Sequence, residues 1–300
     1  MFDVAGFGAS SIDLVYLLPA HPSADGPLSK LPIQSSFTSC GGQTATAMAG
    51  CASLGLRSAF LGTTGHDDRG SLIRQELIAR GVDVTSGHIL PCAQPYAVIL
   101  LSEHSPERIV LWSRTADANL DPAALDIAAM TSGRVLHVDD VDLAASIAAA
   151  RLARKAGRLV TTDIDRVAPE TSELIRLATH PILAEHVPRE LTGEPDLERA
   201  LRMLRPLNAG PITVTLGARG AASLDGERLI VSPGFAVHAV DTTGAGDIFR
   251  AGFIAALLEE RDLPGVLRYA NAAAAVSCTR RGAVAGAPSR AEVETVLVSL

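Results

Sequence analysis

An α/β fold, a three-layer sandwich with a mostly parallel central sheet and a small β-sheet lid, is predicted by three features of this 300-residue chain. Short β-branched runs alternate with helical patterns over the last two thirds. Apolar residues make up 47% of the chain, enough for a deep core. Two β-rich stretches near the start break the alternation and form the lid. Strand–helix alternation implies right-handed βαβ crossovers, which cover both faces of a parallel sheet with helices.

In order along the chain, residues 12–18 and 33–39 are extended runs separated by a Pro/Gly-rich segment, 19–32. An alanine-rich helix follows Gly41-Gly42 over 44–54, and Asp67 opens a helix over 71–80 as its N-cap. Runs 95–101 and 108–113 form a hairpin with a polar tip at Glu103 to Glu107. Then 135–138 is a strand, Asp142 caps a helix over 143–156, and Gly157 ends it. Residues 159–163, 181–184 and 212–216 are further strands, with helices at 170–178 and 197–204. The run 212–216 is apolar enough to be buried on both faces. The final helical run, 248–260, follows a glycine-rich turn. All 300 residues are expected to form one domain with strands 12–18, 33–39, 95–101 and 108–113 inserted as a lid, which would exclude water from a reacting group.

The net charge of −7 and isoelectric point near 5.6 argue against a nucleic-acid partner, which calls for a basic stripe. No apolar stretch approaches the roughly 18 residues of a membrane span. Residues 1–18 carry Asp3 and Asp13 and lack a positive leader region, so a signal peptide is not expected. Cys40, Cys51, Cys92 and Cys278 show no metal-ligand spacing and read as reduced thiols of a cytoplasmic protein.

The most informative segment is Asp241, Thr242, Thr243, Gly244, Ala245, Gly246 and Asp247. Two glycines around an alanine, where a loop becomes a helix, let backbone N–H groups converge on an anion, and the helix dipole reinforces them. Asp247 in the first turn can accept the proton of an alcohol. Together these suit phosphoryl transfer to a hydroxyl, with Gly244, Ala245 and Gly246 as the anion cradle. The plainer alternative is a glycine-rich helix start capped by an acid.

Other signals are weaker alone. Gly41 and Gly42 permit close backbone approach to a ligand or simply make a turn. Asp13 could accept hydrogen bonds from a polyol or face solvent. The turn Thr215, Leu216, Gly217, Ala218, Arg219, Gly220 closes a strand where open sheets bind ligands, and with the cradle it could border one nucleotide. Gly6 and Gly8 begin a dinucleotide-like pattern, but Ser11 stands where its third glycine belongs.

These motifs give the whole chain a resemblance to the PfkB/ribokinase family of carbohydrate kinases. The resemblance rests on Gly41-Gly42, on Thr215-Leu216-Gly217 with Gly220, and above all on Asp241 to Asp247. It implies a ribokinase-like fold, ATP with Mg²⁺ as phosphoryl donor, a stimulating K⁺ ion and a homodimer sharing the lid. By the same resemblance Asp247 is the catalytic base and Gly244, Ala245 and Gly246 the anion hole. Asp13 and Gly42 match sugar-contacting positions, and Thr215, Gly217, Gly220 and Asn271 fall to the nucleotide. Gly41, Thr46, Trp112 and Asp139, at the turn, the lid and the sheet edge, are further candidate substrate contacts. Asp241, Thr243 and Gly282 fall to the monovalent cation.

Two departures stand out. The family's Asn-x-x-Glu before Leu191-Thr192-Gly193 is replaced by Ala184 and Val187, so Glu185 takes over the Mg²⁺ or the metal is held by the ATP phosphates. Gln43 and Thr46 stand where ribokinase proper has Lys and Asn. The runs 184–193 and 278–288 are similar to sulfofructose kinase. However, Asp139 and Asp140 would repel an anionic sugar, so the expected substrate is uncharged or weakly charged. His137, Asp139, Asp140 and Asp142 form either a hydroxyl-reading cluster or a solvated strand end. A nucleoside kinase, with Trp112 as the base platform, and a non-catalytic sugar or nucleotide sensor are the alternative functions.

Overall fold

The computed structural model describes residues 1–102 and 105–298. Its centre is a parallel sheet in the order Leu159–Asp163, Gly133–Asp139, Phe2–Phe7, Ser58–Phe60. Bridges between Thr161 and His180 and between Ile164 and Leu183 carry this sheet into a second one. There Ile182–Ala184 and Ile212–Thr215 run parallel, and Ala221–Asp225 and Arg228–Ser232 complete the edge antiparallel.

Period-two alternation sorts the strand side chains between two cores. Val4, Val135, Phe60 and Ile182 face one side, where the helices Gln43–Ser53, Ala245–Leu258 and Leu263–Ser277 pack. Ala5, Leu136, Val138 and Leu183 face the other, beneath Leu143–Lys155, Thr171–Leu177 and Leu197–Leu204. This is the three-layer α/β arrangement expected. Small residues bring the first helix group close together. A methyl on Gly252 would come within 2.9 Å of Ala270 Cα and Ala273 Cβ. Among the described residues no helix is long and apolar enough to cross a membrane.

A separate four-stranded sheet has the order Ser35–Gly41, Ser11–Leu18, Tyr96–Ser102, Ser105–Ser113. Asp13 lies opposite Ser39 and Ala97, and Ala97 opposite Trp112, so these four side chains stand in one row on one face. The hairpin-tip residues Glu103 and His104 lie outside the described residues. A short parallel pair, Thr63–Gly65 with His88–Leu90, has no counterpart in the sequence reading.

The helical run at 248–260 is entered through a first turn that starts at Ala245 and holds Asp247, as read; Gly244, with φ +78°, turns the chain into the helix, which ends at Leu258. One local expectation changes. Asp142 sits at a helix start but does not cap it; its Oδ2 accepts from Leu120 N–H at 2.7 Å and ties the preceding loop down. Asp67 is an N-cap as read, accepting from Gly70 N–H.

At the carboxyl end of the central strands, Asp139 Oδ2 accepts from Ala9 N–H at 2.6 Å and from Thr44 Oγ1 at 2.7 Å. Gly8 makes the room: a methyl there would overlap that carboxylate. Gly8→Ala should therefore lower unfolding stability by about 2–3 kcal/mol in urea denaturation, the range of a disrupted buried hydrogen-bond network. Gly157→Ala, where a methyl meets open space and only φ +72° is strained, should cost about 1 kcal/mol.

Candidate active site

The Ala245–Leu258 helix points its N-terminus at the carboxyl edge of the parallel strands. Gly244 is held between two elements: a methyl on it would come 2.7 Å from Ala283 Cβ and 3.2 Å from Thr46 Cγ2. Its positive φ and lack of room make glycine obligatory here. Gly246, by contrast, is exposed, and a methyl on it would come 3.0 Å from Arg250 Nη1. Helix geometry leaves the first-turn N–H groups of Gly246 and Asp247 without intrahelical acceptors, so the dipole's positive end is open at this point.

A cavity of about 610 Å³ starts at this cradle. Thr242, Ala245 and Gly246 form one end, and Thr215, Gly217 and Gly220 another part of the wall. Phe249, Phe235 and Val237 supply an apolar surface, and Asn271 lies at the wall with its amide donating to Ser232 O at 3.0 Å. The structure thus brings the glycine turn at 215–220 and the cradle to one space. Its size suits a nucleotide.

On the other side of Gly244, Thr46 is fully buried on the Gln43–Ser53 helix, and its hydroxyl has no partner. That helix starts at Gly42, with φ +96°. A methyl on Gly41 would come 2.5 Å from Asp13 Oδ2, which places the Asp13 carboxylate against this turn. Asp13, Gly41, Gly42 and Thr46 therefore gather beside the cradle. Trp112 stands farther along the same row of the outer sheet and is 70% exposed.

Asp241 knots two loops together. Its Oδ1 accepts from Thr243 N–H at 2.8 Å and its Oδ2 from Gly282 N–H at 2.9 Å. The three residues grouped by the sequence reading are thus adjacent, with the carboxylate already committed to backbone amides. Glu185 is exposed and ion-paired with Arg219, and among the described residues no cluster of three or more His, Cys, Asp or Glu is placed to hold a metal.

The cluster of His137, Asp139, Asp140 and Asp142 is not a hydroxyl reader. Asp139 is fully buried; besides the bonds to Ala9 and Thr44, its Oδ1 accepts from Val141 N–H. Asp140 Oδ2 accepts from the N–H groups of Asp165 and Arg166 at 2.7 and 2.6 Å. Asp142 holds Leu120, and His137 Nδ1 lies 3.0 Å from Thr161 Oγ1. These acids fasten loops to the sheet edge. The assignment of Asp139 to the sugar is corrected, and the inference of an uncharged substrate, which rested on Asp139 and Asp140, falls with it.

Two residues that the sequence reading passed over lie directly behind Asp247. Asp163, at the end of its strand, contacts Asp247. It forms an ion pair with Arg250 at 2.7 Å, and both side chains are 3% exposed. Arg250 Nη1 also donates to Gly246 O at 3.0 Å. Burial and the neighbouring carboxylate push Asp247 well above the usual range, with Arg250 opposing. Burial likewise raises Asp163. An arginine in the apolar run Ile248-Phe249-Arg250-Ala251 was the one available sign.

Burial, helped by the Arg250 charge, drives His137 down to about 3 from its ordinary 6.5. The folded protein then binds no proton there between those values while the unfolded chain does, so stability falls as pH drops from 6.5 towards 3. The stability deficit of His137→Gln relative to the native chain should shrink by about 1.4 kcal/mol per pH unit between pH 6 and 4. Urea unfolding at several pH values checks this, and a constant deficit would contradict it.

Comparison with known proteins adds the following. The pfkB family carbohydrate kinase model matches residues 1–290. An ATP-dependent ribose-1-phosphate kinase of Halopiger xanaduensis is 32% identical over 284 residues, 94% of each chain. A ribokinase of Haemophilus influenzae is 31% identical, covering 84% of this chain and 85% of its own. The structure of Arabidopsis thaliana ribokinase complexed with ribose and ATP superposes with a TM-score of 0.83 at 24% identity, covering 99% of this chain and 98% of that one.

Proposed function

The chain belongs to the pfkB family of carbohydrate kinases, and we propose that it transfers the γ-phosphoryl group of ATP to a hydroxyl of a sugar or sugar derivative. The observation that carries this reading is the juxtaposition at one helix N-terminus. An open cradle of N–H groups, a carboxyl base and a nucleotide-sized cavity meet there, with Asp13, Gly41, Gly42 and Thr46 on the opposite side.

In this reading Thr215, Gly217, Gly220 and Asn271 border the nucleotide. Gly244, Ala245 and Gly246 form the anion hole, in which the open Gly246 N–H meets the charge that develops on the phosphoryl oxygens, while the Ala245 N–H donates to Thr242 O and holds the turn. Asp13, the Gly41-Gly42 turn and the unpartnered hydroxyl of Thr46 hold the acceptor. Asp247 orients the attacking hydroxyl and takes its proton, which moves late when the transition state is loose. ATP brings the phosphoryl group and Mg²⁺ on its own phosphates; Glu185, engaged by Arg219, is not assigned to the metal. A monovalent cation such as K⁺ is assigned to the carbonyl side of the Asp241, Thr243 and Gly282 knot, where it would stiffen the cradle.

The chain is read as one kinase domain whose outer sheet acts as a lid. Val110, Leu111 and Trp112 are exposed on the edge strand of that sheet, Val110 and Trp112 on one face and Leu111 on the other, apolar surface that supports dimerisation through it. The exposed Trp112 also keeps a nucleoside acceptor as the second reading, since an indole offers a stacking surface for a base.

Purified protein should release ADP when given ATP, Mg²⁺ and one member of a panel of sugars, sugar phosphates, sulfosugars and nucleosides. Asp247→Asn should lower kcat by about 10²–10⁴-fold while ATP still raises the melting temperature. Nucleotide binding without turnover on any acceptor would favour a sensor instead.

A further inference from the structure

We propose that Asp163 and Arg250 are positioning residues for the reaction: Arg250 anchors Asp163 behind the base, and Asp163 orients the Asp247 carboxyl and receives its hydrogen bond once Asp247 has taken the substrate's proton. The proposal rests on the kinase reading above and extends it to two residues behind the cradle.

The geometry is a closed circuit. Gly246 O accepts from Arg250 Nη1 at 3.0 Å; Arg250 Nη2 meets Asp163 Oδ1 at 2.7 Å; Asp163 contacts Asp247; and Asp247 follows Gly246 in the chain. One guanidinium therefore fixes both a peptide of the anion hole and the carboxyl partner of the base. Both members of the ion pair are almost fully buried, where a fork of fixed N–H donors holds its partners in one orientation. Arg250 lies on the Ala245–Leu258 helix and Asp163 on the strand Leu159–Asp163, so the circuit locks the helix start to the sheet edge.

The proton count is simple. Two carboxyl groups in contact beside one cation hold a shared proton more tightly than either would alone. With that proton lost, Asp247 is free to accept from the alcohol. During transfer the alcohol O–H bond breaks, its oxygen bonds to the γ-phosphorus, and the bond from that phosphorus to the β-bridging oxygen breaks, releasing ADP. The proton then lies on Asp247 and is donated in a hydrogen bond to the Asp163 carboxylate, whose charge Arg250 balances. Among the described residues, Asp139, Asp140 and Asp165 are the further charged groups that act on the pair. His137, buried close to Arg250, stays neutral. All of these are unchanged in the variants below.

The two residues act on Asp247 with opposite sign, which a merely structural pair would not do. Asp163→Asn removes a like charge, so the acid limb of the kcat/KM–pH profile should move down by about one unit or more. Arg250→Gln removes the cation and should move that limb up by a similar amount. Each should lower kcat at its optimum by about tenfold or more through misplacement of the base, with KM for ATP little changed. Shifts of opposite sign support the proposal. Limbs that stay in place, with activity lost only in step with melting temperature, overturn it. Should either variant fail to fold, infrared spectroscopy of the native protein and of Asp247→Asn decides the matter. A protonated-carboxyl band near neutral pH that disappears in Asp247→Asn supports the shared proton, and absence of the band in the native protein overturns it. Native protein that turns over no acceptor would instead refute the kinase reading, and the infrared arm would still judge the pairing.

Discussion

A guanidinium buried to 3% exposure dictates much of this architecture. Leaving such a charge unpaired costs about 3–5 kcal/mol, so Arg250 requires Asp163 at the end of a central strand. That requirement fixes where the Ala245–Leu258 helix begins relative to the sheet. With the helix start fixed, the glycine cradle opens at the carboxyl edge of the parallel strands, where open α/β sheets gather ligands. The ion pair is thus the point at which packing, electrostatics and the site meet.

Around that anchor, the rim of the site is built from backbone and small residues. Gly244 fits between Ala283 and Thr46, and Gly8 clears space for the Asp139 carboxylate that ties Ala9 and Thr44 together. The Asp241 knot holds the loop before the cradle to Gly282. Carboxylates accepting backbone N–H groups do this work repeatedly, Asp139, Asp140, Asp142 and Asp241 among them.

The layering was legible in the sequence because periodicity reports burial. Strand Leu159–Asp163 and helix Leu197–Leu204 fall on the residues their patterns indicate. The helix start within Asp241 to Asp247 was legible as well, since glycines before an apolar helical run mark such a junction and Asp247 lies in its first turn. What was not legible depends on partners far away in the chain. Whether Asp139 and Asp140 read a ligand or hold amides depends on Ala9, Thr44, Asp165 and Arg166, and no local pattern reveals that register. The Gly6 and Gly8 pair, suggestive of a dinucleotide site, makes room for Met48 and Asp139 instead.

The central claim is that the open N–H groups of the cradle and the Asp247 carboxyl face the two sides of one transferring phosphoryl group. A crystal structure with ADP, Mg²⁺, aluminium fluoride and the accepted sugar tests it most directly. The account predicts the fluoride within hydrogen-bond distance of Gly246 N–H, and the acceptor hydroxyl between it and Asp247. A metal fluoride bound away from the Ala245–Leu258 helix, or an acceptor beyond the reach of Asp247, would contradict it.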